Sequence, residues 1–346
     1  MCVFTLAVFA VIAILLIMQR VPQKVTEPTP QTENPIEKKS VSFLPEIVDV
    51  TRAESFASLT ENLTKLADTY PDLLALDTAG KSAGGRELAA VKLGKGEHKA
   101  LIIGGIHARE HISTKYLLCC IETYCRAFYT DEGMLGSYDI RSLLSNFTLY
   151  IVPCANPDGL EIIQSRDKPA AGVKVKKPAE YKANKNGVDL NRNFPLAWAQ
   201  IDNGVAVPSE FYYKGSSAAS EPETKALMQL CAQNGFEFLI SVHIKGNCIY
   251  WGDSYDTKLN AAYKTYASNI AKVCALKLTK PTLSPNDYGG GFENWFRHTY
   301  SRPGFCVELM RNEMNVLPLD DSNYKDFYGN VNYGSTVFLF AAAMRG

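Results

Sequence analysis

Several short runs in this chain are apolar along most of their length and show no clean alternation of polar and apolar residues: Leu101-Ile102-Ile103, Phe147 to Pro153, Phe236 to His243 and Phe305 to Leu309. A strand with one face in water alternates, so strands of this kind must be covered on both faces. Between them lie segments of helical period. Ser55 to Tyr70 carries Phe56, Leu59, Leu63 and Leu66 and is followed by Pro71, and helices are also expected over Ser113 to Phe128, Glu221 to Asn234, Asn260 to Leu278 and Asn332 to Met344. Leu73 to Thr78 and Leu88 to Leu93 read as two further strands around a turn at Gly80 to Arg86. Strands alternating with helices predict an α/β fold with a mixed, largely parallel central sheet and helices on both faces.

At 346 residues the chain is long enough for one large catalytic domain. Its formal charge is zero, which argues against nucleic acid as a partner and suits a small or peptidic substrate. Nine cysteines stand mostly singly among apolar residues with no Cys-x-x-Cys, so buried free thiols are expected rather than a disulfide framework or a cysteine zinc site. Residues 1–20 are almost wholly apolar between Cys2 and Met18 and are expected to be an uncleaved membrane anchor or a signal segment. Residues 21–48, rich in Pro, Thr, Gln, Glu and Lys, are expected to be a flexible linker, and 49–346 the catalytic domain. Arg20, Lys24, Lys38 and Lys39 favour a cytoplasmic flank, whereas a tether and an anchor suit work near the cell wall. The domain is accordingly expected on the outer face, with secretion or a cytoplasmic orientation as alternatives.

The run Leu101-Ile102-Ile103 ends in Gly104-Gly105, and His107 and Glu110 follow three positions apart. At a first helical turn such a pair shares a face and can present a ring nitrogen and a carboxylate to one cation. In a sheet of this kind functional groups collect at the carboxyl ends of strands, where His243 and Glu308 also fall. Two histidines and a carboxylate with a fourth position left for water make a catalytic zinc set. Zinc lowers the pKa of its water and polarises a carbonyl, and a further carboxylate, Glu308, is the candidate to move the proton.

His107-Ala108-Arg109-Glu110, Asn156-Pro157-Asp158-Gly159, Val188-Asp189-Leu190-Asn191-Arg192-Asn193-Phe194, Ser241-Val242-His243 and Val307-Glu308-Leu309 occur in an order that resembles the zinc carboxypeptidase (funnelin) family. The likeness runs from about Ser55 to the end. It implies one Zn2+ per chain held by His107, Glu110 and His243, with Glu308 as general base and acid. It also implies that Asn191 and Arg192 hold a substrate carboxylate, a task that suits the guanidinium fork, and that Arg109 supports a carbonyl or carboxylate. The family's digestive members place an arginine before the Asn-Arg motif to stabilise the oxyanion, and here Lys182 stands in that stretch. The spacing of the family's mobile tyrosine also differs, and Tyr288 is the choice here.

Tyr181-Lys182-Ala183-Asn184, Ile249-Tyr250-Trp251 and Gly290-Gly291-Phe292-Glu293-Asn294-Trp295-Phe296 resemble the branch of bacterial γ-D-glutamyl-diamino acid endopeptidases, which cut peptidoglycan stem peptides. The resemblance implies a muropeptide substrate whose distal amine meets Glu293 or Asn294. Two rival functions stand beside it: a metallocarboxypeptidase removing C-terminal residues from proteins or peptides, and an inactive membrane-tethered wall-binding module. His98, His111 and His298 are expected at the surface or behind the ligands, Arg86 in a structural role, and Trp295 and Phe296 in the core. The basic loop from Lys174 to Lys185 is either a solvated face or an attractor for an anionic polymer. Nothing in the sequence indicates an oligomeric state.

Overall fold

The computed structural model describes residues 46–310 apart from 131, 136 and 283. The expected anchor, most of the expected linker and the expected closing helix Asn332–Met344 lie outside the described residues. No helix among the described residues is long and apolar enough to cross a membrane.

Ten strands are described: β1 Leu74–Lys81, β2 Glu87–Leu93, β3 His98–Ile103, β4 Met134–Leu135, β5 Tyr138–Asp139, β6 Phe147–Val152, β7 Phe238–Lys245, β8 Cys248–Tyr250, β9 Lys277–Leu278 and β10 Gly304–Met310. β4 and β5 form a small ribbon, and the other eight make one sheet in the order β1-β2-β6-β3-β7-β10-β8-β9. The four central strands β6, β3, β7 and β10 are parallel neighbours, while β1, β2 and β6 pair antiparallel at one side and β8 runs against β10 at the other. The mixed, largely parallel sheet expected from the apolar runs is therefore present.

Both faces of that sheet are covered. Ala100 and Ile102 of β3 pack in a cluster with Leu59, Leu63, Leu66 and Tyr116, whereas Leu101 and Ile103 pack in another with Leu227, Leu230 and Phe296. Successive side chains of a strand point to opposite faces, so β3 reads as apolar throughout because each face has its own core. Burying each such side chain contributes about 1.5–3 kcal/mol.

Two boundaries differ from the sequence expectation. The helix expected to reach Leu278 ends at Cys274, where Ala275 adopts a left-handed conformation (φ 53°) and frees Lys277 and Leu278 to pair with β8. The domain also begins before residue 49. The Glu122 carboxylate accepts the amides of Glu46, Ile47 and Val48, and Val48 lies in the core. Eight cysteines are described, all buried and outside any disulfide, in line with the reading of their sequence context.

Candidate metal centre

The parallel strands bring the expected site together at their carboxyl ends. After β3 the chain passes Gly105, whose positive φ (58°) and tight approach to Thr114 leave no room for a side chain, and enters the short 3-10 turn Ala108–Glu110. Side chains at i and i+3 eclipse in such a turn, so His107 and Glu110 share its inner face. β7 carries His243, and the register of β10 sets Glu308 directly beside it.

Glu110 Oε1 lies 2.8 Å from His107 Nδ1, and Glu110 Oε2 lies 3.0 Å from His243 Nδ1. All three residues are buried. Behind the rings, His243 Nε2 is 3.0 Å from Ser241 Oγ and His107 Nε2 is 3.3 Å from Asp189 Oδ1, an ion-pair approach rather than a well-formed hydrogen bond. Each ring thus turns Nδ1 to the shared Glu110 carboxylate and Nε2 to an outer partner. One ligand atom from each of the three residues lies within 4.8 Å of the others, close enough to hold one cation. The donor set of two imidazoles and one carboxylate suits zinc, and the outer carboxylate on His107 is the usual means of fixing a ligand's tautomer.

The electrostatics of the four carboxylates differ. Burial alone would raise Glu110, but His107 and His243 outweigh it and hold that carboxyl well below its ordinary range. Asp189 is likewise buried and likewise held low, by Lys182 first and then His107. Burial pushes the Glu308 carboxyl up to about 8, against the pull of His243 and with help from Glu110. Its Oε2 atom has no hydrogen-bond partner. Glu293 is buried on the helix Phe292–Tyr300, and its Oε2 is also without a partner.

A cavity of about 400 Å³ opens on this centre, with His107, His243, Glu308, Lys182, Asn191, Arg192, Tyr288 and Glu293 all in its lining. Asn191 Oδ1 accepts the Phe292 amide at 2.8 Å, and Arg192 Nη1 donates to the Asn191 carbonyl at 2.9 Å. The loop passes so near here that a Cβ on Gly290 would meet the Arg192 carbonyl oxygen at 2.2 Å. Gly290 also has positive φ (68°), so glycine is required twice over. Tyr288 packs edge-on against Tyr255, ring centroids 5.2 Å apart.

Two of the expected residues are placed differently from the rest. Arg109 is not in the cavity lining, and it is the one residue of its turn that escapes full burial. Its Nε is nonetheless buried and has no hydrogen-bond partner. Lys182 does reach the cavity, but its ammonium donates to Asp189 Oδ2 at 2.8 Å and does not stand free. Asp189 itself stood inside a matching motif yet drew no role from the sequence, because its two partners become visible only after folding.

Other positions fall as expected. Arg86 is structural, its Nη1 lying 2.5 Å from Asp158 Oδ1 and 2.9 Å from Asp167 Oδ2. Trp295 and Phe296 are buried in the core, His111 is buried behind the centre, and His98 pairs with Glu237 at the surface. The basic loop is divided: Lys174, Lys176 and Lys177 are exposed, and the other two lysines are engaged. Lys182 is buried and Lys185 Nζ lies 3.0 Å from Asp167.

A family model described as zinc carboxypeptidase matches residues 59–326. The chain is 30% identical over 287 residues to the uncharacterized protein YqgT of Bacillus subtilis, covering 78% of this chain and 73% of that one. It is 27% identical over 287 residues to gamma-D-glutamyl-L-diamino acid endopeptidase 1 of Lysinibacillus sphaericus, covering 79% and 70%. Among solved structures, bovine thrombin-activatable fibrinolysis inhibitor superposes with a TM-score of 0.65 at 22% identity, over 86% of this chain and 97% of that one. That last likeness speaks to the fold.

Proposed function

We propose that this chain, which belongs to the zinc carboxypeptidase family and is a zinc-dependent metallopeptidase, hydrolyses the bond between γ-D-glutamate and a diamino acid in peptidoglycan stem peptides. The observation that carries the reading is the composition of one cavity. Asn191 and Arg192 offer donors to a carboxylate, while Glu293 offers an unpartnered buried carboxylate to an amine. A diamino acid has both groups. The similarity to a gamma-D-glutamyl-L-diamino acid endopeptidase supports the same substrate class.

Zinc held by His107, Glu110 and His243 would acidify a water and polarise the scissile carbonyl. Glu308 takes the proton of the attacking water and delivers it to the leaving amine, and its unpartnered Oε2 is available for both exchanges. Arg192 and Asn191 hold the carboxylate of the diamino acid. Of the three donors on the Lys182 ammonium, one is given to Asp189, leaving others for the carbonyl oxygen as negative charge develops there. Tyr288 contributes its hydroxyl from the lining.

The proposal includes placement. An apolar stretch between Cys2 and Met18 followed by a polar linker suits a domain tethered at the outer membrane face, within reach of the wall.

A second reading, removal of C-terminal lysine from proteins, draws on the same Glu293. The pure protein incubated with L-Ala-γ-D-Glu-diaminopimelate and with an all-L peptide ending in lysine separates the two. Release of diaminopimelate is expected, and an intact γ-glutamyl bond beside a trimmed all-L peptide reverses the assignment.

A further inference from the structure

Glu293 and Arg297 stand one helical turn apart on the helix Phe292–Tyr300, and both line the cavity that opens on the metal centre. They are 4% and 2% exposed. Opposite charges buried so close normally neutralise each other by direct contact, because an uncompensated charge in a dry site is costly. These two do not. The terminal nitrogens of Arg297 donate instead to the Gly304 carbonyl and to Asn294 Oδ1, its Nε has no partner, and Glu293 Oε2 has none either. The cavity wall thus presents a separated negative and positive group.

A lysine side chain brings only an ammonium to such a wall. The complement of a wall bearing both charges is a group bearing both, an ammonium and a carboxylate on one carbon, as at the far end of diaminopimelate. We propose that Glu293 and Arg297 recognise that zwitterionic end, the ammonium on Glu293 and the carboxylate on Arg297, and so select diaminopimelate over lysine. This rests on the γ-D-glutamyl reading above and specifies which diamino acid it takes. Trp251, Pro281 and the Cys306 thiol in the same lining give low-polarity surface for the intervening methylenes. The guanidinium has five N–H groups, and its two bonds in the structure leave others for a carboxylate.

A site built to pair a polar group rejects analogues that lack it, since its own buried groups are then left unpaired. The test compares kcat/KM for three L-Ala-γ-D-Glu substrates ending in meso-diaminopimelate, in meso-diaminopimelate amidated at its distal carboxylate, or in L-lysine. An all-L peptide ending in lysine serves as the fourth. The full chain should prefer the first substrate by about 100-fold or more over the second and third. In Arg297→Gln that preference should shrink at least tenfold, a change that a purely structural role for Arg297 would not produce. Similar cleavage of the first three by the unmodified protein would overturn the inference and leave the γ-glutamyl reading intact. The same holds if a folded Arg297→Gln keeps its full preference. Cleavage of the all-L peptide alone would remove the reading on which the inference rests. The comparison on the unmodified protein stands even if the variant fails to fold.

Discussion

Asp189 and Lys182 form a buried pair behind the metal centre, Nζ to Oδ2 at 2.8 Å, while the other oxygen of Asp189 approaches His107 Nε2 at 3.3 Å. One carboxylate therefore stands against a candidate zinc ligand and restrains a cation that lines the cavity. Asp189→Asn removes the charge that both partners use. Outer carboxylates of this kind are worth about 10–100-fold in metal affinity, and a loss of that size is expected in competition against a chelator. Unchanged affinity would mean that Asp189 serves Lys182 alone.

Glu308 carries the proton in this account, and its Oε2 atom is free to do so. Glu308→Gln should lower kcat/KM by about 100- to 10,000-fold, the range of general acid and base catalysis, while zinc content measured by atomic absorption stays that of the unmodified protein. A variant with full zinc and full activity would leave the fold standing and refute the mechanism.

How much of this could be read beforehand follows from which signals are local. β3 and its His107 and Glu110 were legible because an apolar run and a three-residue spacing each carry their own physics. His243 and Glu308 were legible as strand-end residues, and the register of β7 and β10 does pair them. Arg109 was drawn into the set by its motif alone, and the cavity on the metal centre is lined without it. Arg297 was not legible at all. Glu293 was drawn to the pocket by its motif, whereas an arginine on a short amphipathic helix reads as exposed, and it is the packing of that helix on β7 and β10 that goes with its burial. The early end of the helix at Cys274 depends on Ala275 taking a left-handed conformation, a choice that alanine does not advertise.

Stability should fall with pH through one identifiable group. Burial first, with Glu221 adding, raises the Glu223 carboxyl from 4.5 to about 7, although the Ala83 amide and Asn184 donate to it. A carboxyl raised in the folded state binds its proton more tightly there than in the unfolded chain. Its contribution is thus fully present below about pH 4.5 and is lost as pH rises through about 7. Each tenfold change in proton affinity corresponds to about 1.4 kcal/mol, so the swing is a few kcal/mol at most. Thermal melts at pH 5 and pH 8 should show a larger drop for the unmodified protein than for Glu223→Gln, which has no charge to bury. Parallel drops would assign the pH dependence elsewhere.

The most direct test of the central claim is to identify the products formed from L-Ala-γ-D-Glu-diaminopimelate by mass spectrometry, with the protein stripped by a chelator and then restored with one equivalent of Zn2+. The account predicts no product from the stripped protein and, on restoration, free diaminopimelate together with L-Ala-D-Glu. An intact tripeptide under both conditions, with an all-L peptide losing its C-terminal lysine once zinc is restored, would contradict it.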